Sequence, residues 1–336
     1  MSSFALDINK LFASLPPLPL PTDPPAEGIE CLDASPFFDS EGFDEEMRRL
    51  DTGDDVEPDF SHFNATGRLW SVDRFNAEAK AWDDNPFVLA MSLEAWKAIQ
   101  RAVPALSARA APGGSSNRLD VLEIGCGTGL LSLQVAPAVN RVVAVDAAEG
   151  MIEVLSYKLN KRLTPLPENI TPLAILLEDP EDKRMPPADE ANPDGPRLKY
   201  DLIISHLVLH HIPDVASVLK TMLGCLKPGG MVALTDFENF GPEARRFHPE
   251  AKMKSVEHHG IGREWIAGLM KEAGFEDVGV SVAWKHTRVV EGLPGEFLGG
   301  EEGGVPGKLM TFPYIICLGK RGGVREVTKK FQTMSV

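Results

Sequence analysis

Cysteine is scarce in this chain of 336 residues: there are four, and they lie far apart with no C-x-x-C pair. That spacing argues against a disulfide framework and against the common zinc and iron–sulfur ligand patterns. Long apolar runs are also missing, because no segment approaches the ~18–20 unbroken apolar residues of a membrane-spanning helix. We therefore expect reduced thiols and no membrane span. A cytoplasmic location is the default expectation, with a nuclear one as the alternative.

Basic residues are almost missing from the first 60 positions, which contain 15 Asp or Glu and three Lys or Arg. This segment accounts for most of the net charge of −15. An acidic chain gains little from phosphate neutralisation, which disfavours a nucleic-acid substrate. We expect residues 1–66, rich in Pro, Asp and Glu, to form a mostly disordered leader. Its proline-rich patch 15–25 either stays solvated or docks a protein partner.

After the leader, the pattern changes to alternating strands and helices. Residues 67–110 have apolar side chains at helical spacing on either side of a break at Asn85–Pro86, which predicts a helical cap. Short apolar runs separated by helical patterns then predict an α/β fold whose parallel sheet is covered on both faces. The predicted strands are 119–124, 141–146, 171–177, 200–205, 231–236, 277–285 and 311–319, and the predicted helices are 129–137, 148–160, 214–225 and 262–273.

One domain is expected over residues 67–320. It has two insertions, the polar, proline-rich segment 178–199 and the glycine-rich segment 291–307. A short basic tail, 321–336, follows the domain.

Three glycines at alternate positions follow the first predicted strand, in the segment LDVLEIGCGTGLL (119–131). Ligands of an open parallel sheet bind beyond the carboxyl ends of its strands, and glycines there let a ligand approach the backbone. A dinucleotide fingerprint would have glycine three positions after Gly127, where this chain has Leu130. Glu123, just before the turn, would repel a pyrophosphate but suits a cation. These features favour a positively charged nucleoside, and S-adenosylmethionine is one.

The second predicted strand ends in Asp146. Its carboxylate can accept hydrogen bonds from both ribose hydroxyls of a nucleoside. Alternatively, it can cap the helix that begins DAAEGMIEVL, because Asp is a favourable N-cap residue. The two roles are compatible, and the glycine turn upstream favours the ribose contact.

The segments VLEIGCGTGLLSLQVA, VVAVDAAEGMIEVL, YDLIISHLVLHHIPD and LKPGGMVALTDFE resemble the successive motifs of class I (Rossmann-like) S-adenosylmethionine-dependent methyltransferases. The chain is most similar to the small-molecule group that includes the ubiquinone/menaquinone methyltransferase-like enzymes, over roughly residues 72–320. The resemblance implies a Rossmann-like, doubly wound, mostly parallel seven-stranded sheet with an antiparallel last strand. It also implies S-adenosylmethionine as the methyl donor.

The same resemblance implies a set of cofactor contacts. Glu123 would lie near the methionyl amino group, Asp146 would hold the ribose, and His206 would sit beside the methyl-transfer axis. An acidic residue after the third strand, Glu178 or Asp179, would lie near the adenine amine. The full expected set is Glu123, Gly125, Cys126, Gly127, Asp146, Ala147, Met151, Glu178, Asp179 and His206.

Methyl transfer depends mainly on positioning, and a base is needed only where the acceptor must lose a proton. His206 is the candidate base, since an imidazole titrates near neutrality, whereas a structural role is favoured for His210 and His211. Further candidate acceptor contacts are Glu238, His248, His258 and His259. Because neither a cysteine nor a carboxylate cluster accompanies the pair His258–His259, no metal site is predicted.

The acceptor is expected to be a small molecule, methylated at oxygen, nitrogen or carbon. Family members that methylate the amines of bases or of glutamine have an Asn/Asp-Pro-Pro-aromatic motif after the fourth strand, where this chain has SHLV. The alternatives are a protein or RNA acceptor, and a non-catalytic regulator that keeps the fold. Trp82 and Phe87 in the cap either close the acceptor pocket or belong to the core.

Overall fold

The computed structural model describes residues 68–106, 118–160, 167–298 and 305–323. The predicted leader, nearly all of the basic tail and the middle of the second insertion lie outside these ranges, so the predictions about them stay open. None of the helices in the described ranges combines the length and apolarity that crossing a membrane requires.

Seven strands form one mixed sheet in the order β3-β2-β1-β4-β5-β7-β6. They are β1 (Asp120–Ile124), β2 (Arg141–Asp146), β3 (Ile170–Ala174), β4 (Tyr200–His206), β5 (Leu226–Phe237), β6 (Phe275–Val290) and β7 (Lys308–Arg321). β7 runs antiparallel to both of its neighbours, and the pairings among β1 to β5 are parallel. The predicted doubly wound α/β sheet with an antiparallel last strand is confirmed.

Among the described residues, six α-helices accompany the sheet: α1 (Arg68–Glu78), α2 (Pro86–Ala102), α3 (Leu130–Val135), α4 (Glu149–Asn160), α5 (Val215–Cys225) and α6 (Arg263–Ala273). The predicted break between the first two is confirmed, because Asn85 caps α2 by accepting a hydrogen bond from the Phe87 amide. A 3₁₀ helix, Ala79–Asp84, joins α1 to this cap residue. Further 3₁₀ helices include Leu209–His211, Pro242–Phe247 and Glu250–Ser255.

Strand register assigns each side chain to one of two faces of the sheet. Glu123 pairs with Ala144 on β2 and with Ile204 on β4, so these three side chains share a face. That face, here called the α2 face, packs against α2 through Ile99, whereas the opposite face packs against α5 and is called the α5 face. Strand order reverses between β1 and β4, which is where a sheet of this kind opens a crevice for a ligand.

Several strand boundaries differ from the predictions, and β6 and β7 both extend beyond their predicted ranges, 277–285 and 311–319. β3 ends at Ala174, three residues early. The Ile175 amide still donates to the Asp146 carbonyl, and Ile175 and Leu177 are buried on the α5 face beyond the end of the strand. β5 begins at Leu226, which pairs with Tyr200 on β4. Residues 226–230, which lie between the predicted helix 214–225 and the predicted strand 231–236, are therefore part of the strand.

The first insertion, 178–199, is an ordered loop. Arg197 is buried within it, and its guanidinium donates to backbone carbonyl groups, including those of Met185 and Pro193. The Arg197 amide donates to the Glu181 carboxylate at 2.9 Å. One buried side chain thus supplies the hydrogen bonds that a polar loop without a core of its own requires.

Candidate functional site

The three glycines after β1 all have positive φ, but they serve different purposes. A Cβ added to Gly125 would come within 2.3 Å of Val208, and one added to Gly129 would come within 2.4 Å of Leu155. These two glycines are required for close packing against the chain after β4 and against α4. At Gly127, a Cβ would meet nothing closer than 4.0 Å. Gly127 therefore presents its backbone to open space.

Asp146 links the ends of β1 and β2. Its Oδ2 accepts a hydrogen bond from the Gly127 amide at 2.8 Å, and its Oδ1 accepts one from the Ala148 amide at 2.8 Å. The Ala148 contact lies just before α4, which begins at Glu149, so Asp146 shapes the turn into this helix and does not form the expected N-cap with its first amides. The side chain is only half-buried, and each oxygen keeps a further lone pair for a ligand hydroxyl. Burial among neighbouring groups raises the pKa of Asp146 above its ordinary value.

Glu123 lies on the α2 face and is 2% exposed. Its Oε2 accepts a hydrogen bond from the Ser132 hydroxyl on α3. Burial raises the pKa of Glu123 to about 8; the Ser132 hydrogen bond opposes that rise and the nearby Asp146 charge adds to it. The carboxyl group is therefore largely protonated at neutral pH, and a cation brought close to it would favour its ionised form.

The helical cap is fastened directly over the glycine turn. Asp83 accepts a hydrogen bond from the Thr128 hydroxyl at 2.5 Å and pairs with Lys158 at 2.6 Å. The Gly150 amide, at the start of α4, donates to the Asn76 side chain at 2.8 Å. Sequence reasoning missed these contacts, because each joins residues far apart in the chain and none forms part of a motif.

An apolar wall borders the turn. Met151 is buried in a cluster against which Trp82 of the cap packs, and the indole nitrogen of Trp82 is the atom nearest the open side of Gly127. Cys126 is also buried, and Ala147 is half-buried. The structure thus gathers most of the predicted cofactor residues around one turn, and Trp82 packs beside it.

Glu178 and Asp179 are not brought to this turn. Both are exposed. The Glu178 carbonyl accepts a hydrogen bond from Thr221 on α5. Pro180, which follows Asp179, packs closely against Gly224 on the same helix. Because β3 ends early, this segment lies along α5 rather than directly beyond the strand. Their predicted contact with an adenine amine stays untested.

His206 ends β4 and lies on the α2 face, in register with Thr235. Its Nδ1 lies 2.9 Å from the Thr235 hydroxyl, which itself donates to the Ser205 carbonyl. With the Thr235 hydrogen on the Ser205 carbonyl, 3.4 Å away, Nδ1 carries the hydrogen of the ring and Nε2 carries the lone pair. Nε2 is buried without a hydrogen-bond partner among the residues described. Burial lowers the pKa of His206 to about 4, so the ring is neutral at physiological pH.

Two aromatic side chains near His206, those of Trp284 and Tyr314, also have a buried polar atom without a hydrogen-bond partner among the described residues. The rings of Trp284 and Tyr314 stack at 4.7 Å, and the Trp284 ring lies 6.2 Å from that of His206. Within the described ranges, the Trp284 Nε1 and the Tyr314 hydroxyl are also buried without partners. Buried polar groups are normally paired. One lone pair and two donors in adjoining side chains are therefore available to a polar ligand.

His210 lies beyond the end of β4 and contacts Asp236, which lies on the α5 face of β5. The His210 Nδ1 is 2.8 Å from Asp236 Oδ1, and the His210 amide donates to Oδ2 at 3.2 Å. Asp236 Oδ1 also accepts from the Phe237 amide at 2.8 Å. Both side chains are almost completely buried, with exposed fractions of 2% for His210 and 0% for Asp236. This contact fits the structural role favoured for His210.

His211 and His248 complete a group of three imidazoles with His210. His211 Nδ1 lies 2.5 Å from the Ser255 carbonyl oxygen. The His210 ring lies 3.9 Å from that of His211 and 5.1 Å from that of His248. Burial lowers the pKa of His248 to about 2 and that of His211 well below its ordinary value. Sequence reasoning named all three residues but had no means of bringing them together.

The remaining candidate acceptor contacts are engaged elsewhere or exposed. Glu238 is buried and pairs with Arg263 at 2.6 Å. His258 Nε2 lies 3.0 Å from the Ile212 carbonyl oxygen, whereas His259 is exposed. Phe87 packs against the aromatic cluster around Phe247.

Comparison with known proteins identifies the family of this chain. Residues 92–280, more than half of the chain, match a family model described as a methyltransferase domain. The chain belongs to the methyltransferase-domain family. The resemblance inferred from the four sequence motifs is confirmed.

Relatives of this methyltransferase-family chain match parts of it. An uncharacterised methyltransferase of Schizosaccharomyces pombe is 26% identical over 166 residues, 48% of this chain and 55% of that protein. A ubiquinone biosynthesis O-methyltransferase of Bordetella bronchiseptica is 32% identical over 119 residues, 35% of this chain and 43% of that protein. The chain thus spans about half the length of these relatives. A magnesium protoporphyrin IX methyltransferase from Synechocystis, solved with bound SAH, is 16% identical at a TM-score of 0.49, covering 76% of this chain and 100% of that one.

Proposed function

We propose that this protein transfers a methyl group from S-adenosylmethionine to a small-molecule acceptor. The proposal is carried by the open side of Gly127, whose amide is held by the half-buried carboxylate of Asp146. A glycine with free space above it admits the body of a ligand, and the fixed carboxylate beside it offers acceptors for two hydroxyl groups. The residues present therefore fit a ribose-bearing ligand.

Other residues at the turn extend this fit. Met151 and Trp82 provide an apolar surface for a nucleoside, with the soft thioether suited to a flat ring. Glu123 lies under the turn as a buried carboxyl group. A cationic ligand would convert it to a carboxylate, which suits the amino and sulfonium groups of the proposed donor better than a pyrophosphate. This combination favours a charged nucleoside over a dinucleotide.

S-adenosylmethionine, when bound, supplies a methyl carbon already activated for displacement. The protein's task is to orient the acceptor and, for a hydroxyl acceptor, to receive its proton. We assign that task to His206, whose Nε2 carries a buried lone pair. Because this ring is neutral at physiological pH, it can accept the proton as the acceptor oxygen bonds to the methyl carbon.

The acceptor is proposed to be an apolar or aromatic molecule with a polar group. The site beside His206 consists of the stacked rings of Trp284 and Tyr314, whose polar atoms lack partners in the described part of the chain. Such a site suits a ring that bears a hydroxyl. One of the relatives is named a ubiquinone biosynthesis O-methyltransferase, a name that gives oxygen as the methylated atom. The chain's acidic balance continues to disfavour RNA.

Isothermal titration of the purified protein with S-adenosylmethionine, NAD and FAD tests the donor. We expect binding of S-adenosylmethionine alone, weakened more than about tenfold by Asp146→Ala, which removes charge-assisted hydrogen bonds worth ~1.5–3 kcal/mol. Asp194→Ala, at an exposed aspartate of the first insertion, is the matched control and should bind as the wild type does. Binding of NAD or FAD in place of S-adenosylmethionine would overturn the proposal.

Incubation with labelled donor and a metabolite extract, followed by mass spectrometry, identifies the acceptor. With that acceptor, His206→Ala should lower kcat much more than it lowers donor affinity, because the ring acts on the acceptor. An equal loss in kcat and in donor affinity would assign His206 to donor binding instead.

A further inference from the structure

We propose that His210, His211 and His248 form a binding site for a divalent transition-metal ion, zinc by preference. One ring nitrogen from each of the three lies within 4.8 Å of those from the other two. Three histidine nitrogens with an open fourth position are the ligand set of many zinc sites that bind water or substrate. Tetrahedral bonds of ~2.0–2.1 Å place ligand nitrogens ~3.3 Å apart. Binding an ion would therefore draw the three ring nitrogens closer together than they lie here.

The hydrogen bonds on two of the rings leave the nitrogens that a metal needs. His210 Nδ1 faces Asp236, which also accepts from two backbone amides and is therefore acting as a carboxylate acceptor. His211 Nδ1 faces the Ser255 carbonyl oxygen, which can only accept. Both Nδ1 atoms consequently carry hydrogen, and both Nε2 atoms carry lone pairs. Metal-binding histidines are held in the same way, by a carboxylate or carbonyl on the far nitrogen.

The His210 Nε2 supplies an independent indication. The residue is 2% exposed, and this nitrogen has no hydrogen-bond partner in the part of the chain that the structure describes. A histidine that served only to hold Asp236 would still be expected to satisfy its second nitrogen. The rings of His211 and His248 lie 3.9 and 5.1 Å from that of His210, but neither makes a hydrogen bond to its Nε2. A shared cation would satisfy the nitrogens of all three rings at once.

The charges around the cluster decide which ions it accepts. Asp236 contacts the cluster through His210, on the ring nitrogen that faces away from the proposed ion. On the other side, Arg74 and Lys252 both pair with Glu78, which offsets part of their charge. A site of neutral nitrogen ligands with no direct carboxylate disfavours Mg²⁺ and Ca²⁺, and it favours Zn²⁺, Co²⁺ and related ions. This proposal departs from the sequence-based expectation of no metal site, which weighed only the pair His258–His259.

The test uses full-length, tag-free protein treated with a chelator and then titrated with Zn²⁺ and, separately, with Co²⁺. Calorimetry should show one Zn²⁺ per chain, and Co²⁺ should give the intense visible bands of a tetrahedral site. Zn²⁺ should also raise the melting temperature, as a ligand of the folded state does. Mg²⁺ should not compete.

Two single variants locate the ion. His248→Ala and His211→Ala should each weaken Zn²⁺ binding by ~100-fold or more, beyond the ~10–100-fold typical of losing an outer-shell partner. His259→Ala, at an exposed histidine outside the cluster, should bind as the wild type does. His248→Gln serves as the replacement if circular dichroism shows that His248→Ala is unfolded. Unchanged Zn²⁺ affinity in the folded cluster variants, or no binding by the wild type, would overturn the proposal whether or not methyl transfer is observed.

Discussion

Neighbouring residues of β5, Thr235 and Asp236, hold two histidines on opposite faces of the sheet in different ways. On the α2 face, the neutral Thr235 hydroxyl accepts from His206. On the α5 face, Asp236 contacts His210 and accepts from two backbone amides as well. The first arrangement depends on one hydrogen bond between neutral groups, and the second on three to a carboxylate. A single hydrogen bond thus orients His206 beside the proposed acceptor. The contacts of Asp236 restrict His210 more strongly.

This difference predicts which side chain the fold depends on most. Asp236→Ala should lower the free energy of unfolding by ~3–5 kcal/mol, because it leaves three buried donors without their acceptor. Asp146→Ala, at the end of β2, should cost less, ~1–3 kcal/mol, because it removes two hydrogen bonds from backbone amides rather than three, at a side chain that is only half-buried. Urea denaturation monitored by circular dichroism measures both. If Asp146→Ala proved as costly as Asp236→Ala, the contrast between the two carboxylates would be wrong.

The raised pKa of Glu123, on the α2 face, predicts that the free energy of unfolding depends on pH. Its pKa is about 8 in the folded protein against an ordinary value of 4.5, so between these values the folded state holds a proton that the unfolded state has lost. The free energy of unfolding should therefore fall as pH rises from 5 to 8, by up to ~4 kcal/mol, and level off above that range.

Glu123→Gln is the matched test, because the amide keeps the shape and the Ser132 contact but does not titrate. Its unfolding free energy should change less with pH than that of the wild type, measured by urea denaturation at several pH values. Donor binding near pH 7 should also release a proton from the wild type and not from Glu123→Gln, which calorimetry in buffers of different ionisation enthalpy detects. Equal slopes for the two proteins would contradict the assignment.

The part of the candidate site around Gly127 was predictable from sequence, because its members follow one another within short motifs. Glycines after a strand and an aspartate at the end of the next strand carry their own geometric meaning. The fastening of Asp83 to Thr128 and Lys158, by contrast, joins the cap to two later elements, and no local pattern indicates it. The same holds for the grouping of His248 with His210.

The fold was predictable to the level of its strands, since buried parallel strands are short apolar runs between helices. The boundaries of the strands were less predictable. The apolar residues Ile175 and Leu177 extended the predicted third strand, but they are buried against α5 after the strand has ended. The order of the first insertion depends on one buried arginine, Arg197, whose partners are backbone carbonyls and therefore have no sequence signature.

Substitutions at two glycines of the same turn should have different effects, at Gly129 on packing and at Gly127 on ligand binding. Gly129→Ala should lower the free energy of unfolding by ~2–4 kcal/mol, because it adds a clash with Leu155 to the cost of a left-handed backbone. Gly127→Ala should cost only ~1–2 kcal/mol for the backbone alone. The order should reverse for donor affinity, with Gly127→Ala the weaker binder by calorimetry, since its new methyl group enters the open space. A greater loss of affinity in folded Gly129→Ala would place the ligand elsewhere.

The smallest effect is expected at Thr235, the neutral partner on the α2 face. Thr235→Val removes the hydroxyl that accepts from His206 Nδ1, which should lower the free energy of unfolding by only ~0.5–1.5 kcal/mol. Turnover should fall more clearly, because the ring is then free to place its hydrogen on either nitrogen, while donor affinity stays unchanged. Thr287→Val, at an exposed threonine on β6, is the control for removing a hydroxyl from a strand. If Thr235→Val kept full turnover, His206 would not need this tautomer, and its proposed role as the base would fail.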